Sequence, residues 1–229
     1  MTSLPVALVT GGSRGIGLAV CHRLASTHHL LVGGRSPETT RQVASQLPSA
    51  EPFCCDLDDA EAVEQAMSRV QRLDVLVLSA GITAGGTVAE TPLDEWRRVM
   101  QTNLFSVVGL TRLALPLLRE SRGMVVTINS GSGFTSKPGN GVYSASKFAL
   151  RAFTDALREE ERGTVRVSSV HPGRVDTHMQ REMWAELGRD YAPDDHLRPQ
   201  SVAEAVALAV LASPEANLDE ISIRPVVQS

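Results

Sequence analysis

The run Val6-Ala7-Leu8-Val9-Thr10-Gly11-Gly12-Ser13-Arg14-Gly15-Ile16-Gly17 decides how the rest of the chain is read. Val6–Thr10 is a short apolar and β-branched run of strand type, and a helical pattern opens at Ile16. Glycine permits turns closed to other residues and lets a bound group approach the main chain. The helix that follows starts with N–H groups lacking intrahelical partners and with the positive end of its dipole. Strand, glycine turn and helix N-terminus in that order predict a phosphate site. The plainer alternative is a tight strand–helix turn with nothing bound.

Outward from this turn the pattern repeats. Leu30–Gly33, Pro52–Cys55, Val75–Leu78, Met124–Ser130, Val165–His171 and Glu220–Ile223 read as further strands. Between them Ile16–Ser26, Glu38–Gln46, Asp59–Val70, Asp94–Glu120, Tyr143–Arg162 and Ser201–Ala212 carry helical periodicity, with Asp94 and Ser201 as N-caps. Val75-Leu76-Val77-Leu78 is apolar throughout instead of alternating, as a parallel strand covered on both faces requires. The expected fold is α/β, a doubly wound parallel sheet of about seven strands with helices on both faces. One domain over residues 1–229 is the expectation, since no linker or repeat divides the chain. Thr177–Pro199 breaks the rhythm, and a loop of that length predicts a functional segment, here a substrate lid.

Several function classes are excluded on composition. The net charge of −4 arises from 26 acidic and 22 basic residues interspersed along the chain, leaving no basic stripe for nucleic acid. The longest apolar stretches, such as Ala203–Ala212, fall short of the ~18 residues of a membrane span. The N-terminus lacks a basic secretory region, and Cys21, Cys54 and Cys55 form no CxxC pair, so the expectation is a cytoplasmic, reduced protein. The six histidines lack metal-ligand spacing, and no metal is expected.

Tyr143-Ser144-Ala145-Ser146-Lys147 sets a phenol and an ammonium at i and i+4, on one face of a helix. A tyrosine of pKa ~10 is a poor acid–base catalyst near neutrality, and a nearby cation is expected to lower that value. Alone, the pair also suits an ordinary exposed helix. Ser130 lies thirteen positions before Tyr143, at the carboxyl edge of a predicted strand, where such sheets bind ligands. Ser132 is the alternative hydroxyl.

Together these features resemble the short-chain dehydrogenase/reductase family, with Thr10–Gly17 similar to its TGxxxGxG fingerprint and Ser130, Tyr143 and Lys147 to its catalytic triad. The resemblance implies a Rossmann-type fold and an oxidoreductase, a ketoreductase interconverting carbonyl and alcohol by hydride transfer. Ser130 would bind the substrate oxygen and Tyr143 would exchange the proton. Lys147 would hold the nicotinamide ribose and lower the tyrosine pKa. Asn103 would hold the lysine and a water in a proton relay; a helix-packing amide is the plainer reading.

The same resemblance implies cofactor contacts at Gly11, Ser13, Arg14, Gly15, Ile16 and Gly17, at Asp56 and Leu57, and at Ala80 and Gly81. It adds Tyr143, Lys147, Pro172, Gly173, Val175 and Thr177, with His171 structural. Ser79 replaces the family's Asn, so support of the sheet there is expected to differ. After the second strand, Gly33-Gly34-Arg35-Ser36 offers no carboxylate for a ribose 2′-hydroxyl. Arg35 and Arg14 could instead clamp a 2′-phosphate, so NADPH is the expected cofactor; solvated surface arginines are the alternative.

For the substrate, Met179, Met183, Trp184, Leu187 and Tyr191 could form an apolar wall, or dock on the core or on another subunit, and Arg174 and Arg181 permit a charged group near the mouth. The ending Ile221–Pro225 resembles members acting on small 3-hydroxy acids or acyl groups. A homodimer or homotetramer through the Asp94–Glu120 and Tyr143–Arg162 helices is implied. A non-catalytic NADPH-binding sensor or scaffold is the competing function.

Overall fold

The computed structural model describes residues 4–186 and 190–226. Seven strands form one parallel sheet: β1 (Val6–Val9), β2 (His29–Gly34), β3 (Ala50–Cys54), β4 (Val75–Leu78), β5 (Met124–Ile128), β6 (Arg166–Pro172) and β7 (Glu220–Ile223). Their order is β3-β2-β1-β4-β5-β6-β7. The chain moves outward from β1 to β3, then crosses back to place β4 on the other side of β1. Ligands bind at such a switch point, outside the carboxyl ends of the strands.

The unbroken apolar strands are explained by two cores. Val9, Val32, Val77 and Val126 face one side, packed with Leu24 of α1 (Gly15–Leu24) and Val206 of α8 (Pro199–Val210). Leu8, Leu31, Leu76 and Val125 alternate to the other, against Leu110 and Leu118 of α5 (Ser106–Ser121) and Leu150 of α6 (Gly141–Glu160). A strand residue pointing either way therefore meets apolar neighbours. α2 (Pro37–Ser45) and α3 (Ala60–Met67) begin at side-chain caps, where Ser36 Oγ accepts from Thr39 N and Asp59 Oδ1 from Ala62 N.

Four expectations need correction. Helix α4 starts at Leu93 behind Pro92, not at an Asp94 cap, and α8 starts at Pro199 behind Arg198, not at a Ser201 cap. Proline fits the first turn of a helix because its missing N–H has no partner there anyway. The Asp94–Glu120 helix is interrupted: α4 (Leu93–Met100) leads into a π-turn at Gln101–Phe105 before α5. Finally, the segment after Thr177 is in part regular among its described residues, holding α7 (His178–Glu186) and a 3₁₀ turn at Pro193–Asp195. No helix among the described residues is long and apolar enough to cross a membrane.

Candidate active site

The carboxyl ends of β1 and β4 open into a cleft of 380 Å³ lined by the glycine turn, Arg35, Asp56, Leu57, Ala80, Gly81 and Thr177. Gly11 takes a left-handed φ of +64°, and a Cβ there would lie only 3.2 Å from Ala80 Cα. A Cβ on Gly17 would collide with the Gly11 carbonyl oxygen, so only glycine lets α1 start this close to the turn. Helix α1 has no side-chain cap, and its first residues Gly15, Ile16 and Gly17 line the cleft. Uncapped N–H groups at a helix N-terminus suit an anion.

Arg14 and Arg35 both line this cleft and are exposed, and no carboxylate pairs with either guanidinium among the described residues. The turn after β3 is shaped by Asp56, whose Oδ1 accepts from Asp58 N at 3.1 Å. Support at the end of β4 comes from Thr10, whose Oγ1 accepts from Ser79 N at 2.9 Å and Ala80 N at 3.0 Å. That hydroxyl holds the backbone at residues 79 and 80 without calling on the Ser79 side chain.

At the catalytic end, Ser130 directly follows β5 and Asn129, with its Oγ accepting from Ser132 N at 3.1 Å. The Ser130 hydroxyl also lies close enough to the Tyr143 phenol to favour its ionised form. Ser132, the alternative hydroxyl, instead accepts from Asn140 Nδ2 at 3.1 Å, and the same amide reaches Ser144 Oγ at 3.1 Å. Asn140 thereby pins the Ser130–Gly133 turn to the start of the helix carrying Tyr143. Nothing in its sequence position announces this, because both partners lie on hydroxyls brought together by the turn.

Lys147 is buried, with Nζ 5.8 Å from the Tyr143 ring centre and donating to Ile128 O at 3.0 Å. Burial pulls its ammonium down to about 8. Burial pushes the Tyr143 phenol above its ordinary value, and the Ser130 contact opposes this only in part. Removing a phenolate from water is the larger effect here and works against the lowering expected from the lysine, one of whose N–H groups donates to a backbone carbonyl.

Asn103 is buried in the π-turn and does not hold Lys147 through its side chain. Its Oδ1 accepts from Ile82 N and its Nδ2 donates to Ile82 O, both at 2.8 Å, and Nδ2 also reaches Ser146 Oγ at 3.0 Å. Ser146 Oγ donates in turn to Tyr143 O at 2.7 Å. Asn103 thus ties the loop after Gly81 to the catalytic helix.

Pro172 ends β6, and Gly173 N donates to Ile223 O at 2.7 Å. Val175 faces Leu197 in an isolated bridge that uses the Arg174 carbonyl and Asp176 N–H, leaving its own amide on the opposite side. His171 is fully buried against Phe134, with ring centres 4.4 Å apart. Thr177 Oγ1 accepts from Gln180 N at 3.3 Å at the start of α7.

Only part of the expected apolar wall faces the cleft. Met179 lines it, whereas Trp184 and Tyr191 pack edge-on to one another at 5.9 Å, and His196 meets Trp184 edge-on and Tyr191 at a tilt. Leu187 lies outside the described residues. Arg181 is also committed elsewhere, forking onto Asp176 at 2.8 and 2.9 Å, and Tyr191 Oη donates to the same carboxylate at 2.7 Å. These contacts hold Asp176 down at about 2, first through Arg181 and then through Tyr191.

The sequence profile of the short chain dehydrogenase family matches residues 5–188. An uncharacterized oxidoreductase of Staphylococcus aureus is 33% identical over 96% of this chain and 97% of its own length. The alcohol dehydrogenase of the archaeon Thermococcus sibiricus, solved with 5-hydroxy-NADP, superposes with a TM-score of 0.90 at 27% identity over 99% of both chains. The actinorhodin polyketide ketoreductase with NADPH gives a TM-score of 0.88 at 29% identity, over 97% of this chain and 96% of that one. The parallel sheet, the glycine turn at its switch point and these matches lead to one conclusion: the chain belongs to the short chain dehydrogenase family of oxidoreductases.

Proposed function

We propose that this protein is an NADPH-dependent ketoreductase in which Tyr143 exchanges the proton. The observation that carries the proposal is the Ser130–Tyr143 hydroxyl pair, with Lys147 beneath it, at the sheet edge adjoining the glycine cleft. The fit to a dinucleotide rests on three features of that cleft: a glycine turn too tight for a Cβ, an uncapped helix N-terminus, and two arginines without carboxylate partners. Gly11–Gly17 would hold the pyrophosphate, Arg14 and Arg35 the 2′-phosphate, and Asp56 and Leu57 the adenine. Ala80, Gly81, Pro172, Gly173, Val175 and Thr177 would hold the nicotinamide half.

When bound, NADPH supplies the hydride, which a protein side chain cannot. Ser130 Oγ accepts a backbone N–H and keeps its own proton, which would hold the substrate carbonyl. Tyr143, kept protonated by burial, donates to the oxygen as negative charge develops there. Lys147 places a cation beside that phenol. In the alcohol-to-carbonyl direction the phenolate accepts the proton, which demands higher pH.

Residues 177–199 are proposed as the substrate lid, hinged where Val175 bridges Leu197. Exposed Phe105, at the end of the π-turn, and Phe148, on α6, support association with a second copy. Incubating the protein with NADPH and a panel of ketones and aldehydes tests the reading. Cofactor consumption with at least one carbonyl is expected. Tight NADPH binding without turnover across the panel would favour the sensor reading instead.

A further inference from the structure

We infer that Asp58 is a positioning residue that couples the adenosine end of the cleft to the catalytic helix, an inference resting on the NADPH reading above. Asp58 shares a turn with Asp56 and Leu57, the two residues assigned to the adenine, and its N–H is bound by Asp56 Oδ1. Its carboxylate crosses 44 residues of sequence to accept from Thr102 Oγ1 at 2.8 Å, and 48 residues to accept from Ser106 Oγ at 2.5 Å.

Those two hydroxyls stand four residues apart, at either side of Asn103. Ser106 also closes the π-turn itself, since its N–H donates to Gln101 O and its Oγ, whose one proton is shared with Asp58, lies 2.9 Å from the same oxygen. A π-turn is an unfavourable insertion in an α-helix and persists where outside contacts hold it. Here one carboxylate grips both ends of it, and bonds from hydroxyl to carboxylate are among the stronger hydrogen bonds. What the turn gains is the placement of Asn103, which faces inward to clasp Ile82 and reach Ser146 on the helix of Tyr143. In a regular α-helix the residues after the turn would be rotated, and Asn103 would lose one or other partner.

The path is short and continuous: adenine turn, Asp58, Thr102 and Ser106, Asn103, Ser146, Tyr143. A ligand that orders the Asp56–Asp58 turn fixes the carboxylate, and with it the π-turn. Occupancy of the adenosine end therefore prepares the proton donor about one cofactor length away. Asp58, Thr102 and Arg98 also line the cleft.

The test compares wild type with Asp58→Ala, Asp58→Asn and the pair Thr102→Val/Ser106→Ala. Without ligand, amide hydrogen exchange over residues 101–106 is expected to quicken about tenfold or more in Asp58→Ala, because local opening no longer breaks two bonds. Adenosine 2′,5′-bisphosphate should protect those amides in wild type and not in Asp58→Ala. With NADPH and a carbonyl substrate, kcat should fall about ten- to a hundredfold while the NADPH Kd changes less than about threefold. Asp58→Asn should be intermediate. Adding Asp58→Ala to the hydroxyl pair should cause no further loss, since all act through one contact. Unchanged exchange and unchanged kcat in Asp58→Ala would overturn the inference. If wild type neither binds NADPH nor turns over, the functional reading fails, and exchange in the unliganded proteins still decides the role of Asp58.

Discussion

Lys147 shows how one residue can be placed against its own preference. Its ammonium is buried, and its folded value of about 8 lies below the unfolded value of 10.5. Between those two pH values the unfolded chain binds more protons, so this group makes stability rise with pH across that window, and its full burial penalty is felt below it. The gap corresponds to on the order of 3 kcal/mol. Lys147→Met is expected to raise the melting temperature at pH 7 by roughly 2–8 °C, the gain being reduced because Ile128 O loses its donor, while turnover disappears. A lower melting temperature would contradict the penalty. The pH profile of kcat/KM for reduction should be level near neutrality and fall above about 8 as Lys147 loses its charge. At the other end of the cleft, Arg35→Asp should cut the NADPH-to-NADH preference by about tenfold or more, since it replaces a phosphate partner with a repelling carboxylate. An unchanged ratio, read from kcat/KM for the two cofactors, would reject the 2′-phosphate clamp.

Elements divide into those governed locally and those governed by distant partners. The glycine turn was legible because its constraints are local: a left-handed Gly11 and a Gly17 with no room for a Cβ are demands on single positions. The strands were legible within a residue or two, because both faces of the inner strands are buried and leave continuous apolar runs, although the edge strands β3 and β7 are largely exposed. The π-turn was not, since helical periodicity runs through Gln101–Phe105 and the interruption is held by Asp58, far back in the sequence. Helix α7 was hidden for a similar reason. Its polar face is neutralised by Asp176 gripping Arg181 and Tyr191, and its Trp184 is covered by Tyr191 and His196 across the loop. That carboxylate clamp gives stability above the ordinary Asp range, near 3.8, and loses it as pH falls through about 2. Asp176→Asn should therefore speed limited proteolysis within residues 177–199 and raise the KM for carbonyl substrate roughly two- to tenfold, with little change in NADPH binding. Unaltered cleavage and KM would show that the lid does not depend on this clamp.

At the scale of the whole molecule, the sheet order explains why chemistry gathers where it does. Crossing from β3 back to β4 opens the cleft beside β1, and β5 and α6 then carry Ser130, Tyr143 and Lys147 to the same edge. Association is expected to follow from Phe105, at the end of the π-turn, and Phe148, on α6, which are 56% and 45% exposed. Light scattering should report a dimer or tetramer for the wild type and a smaller species for Phe148→Glu; a monomeric wild type would contradict this. The central claim is that Tyr143 delivers the proton in an NADPH-dependent reduction, and Tyr143→Phe removes that proton while keeping the ring. NADPH titration and turnover should be measured side by side on wild type and this variant with the best carbonyl substrate. The account predicts NADPH binding within about threefold of wild type and a loss of kcat of about 10²–10⁴. Turnover retained within tenfold in Tyr143→Phe would contradict it.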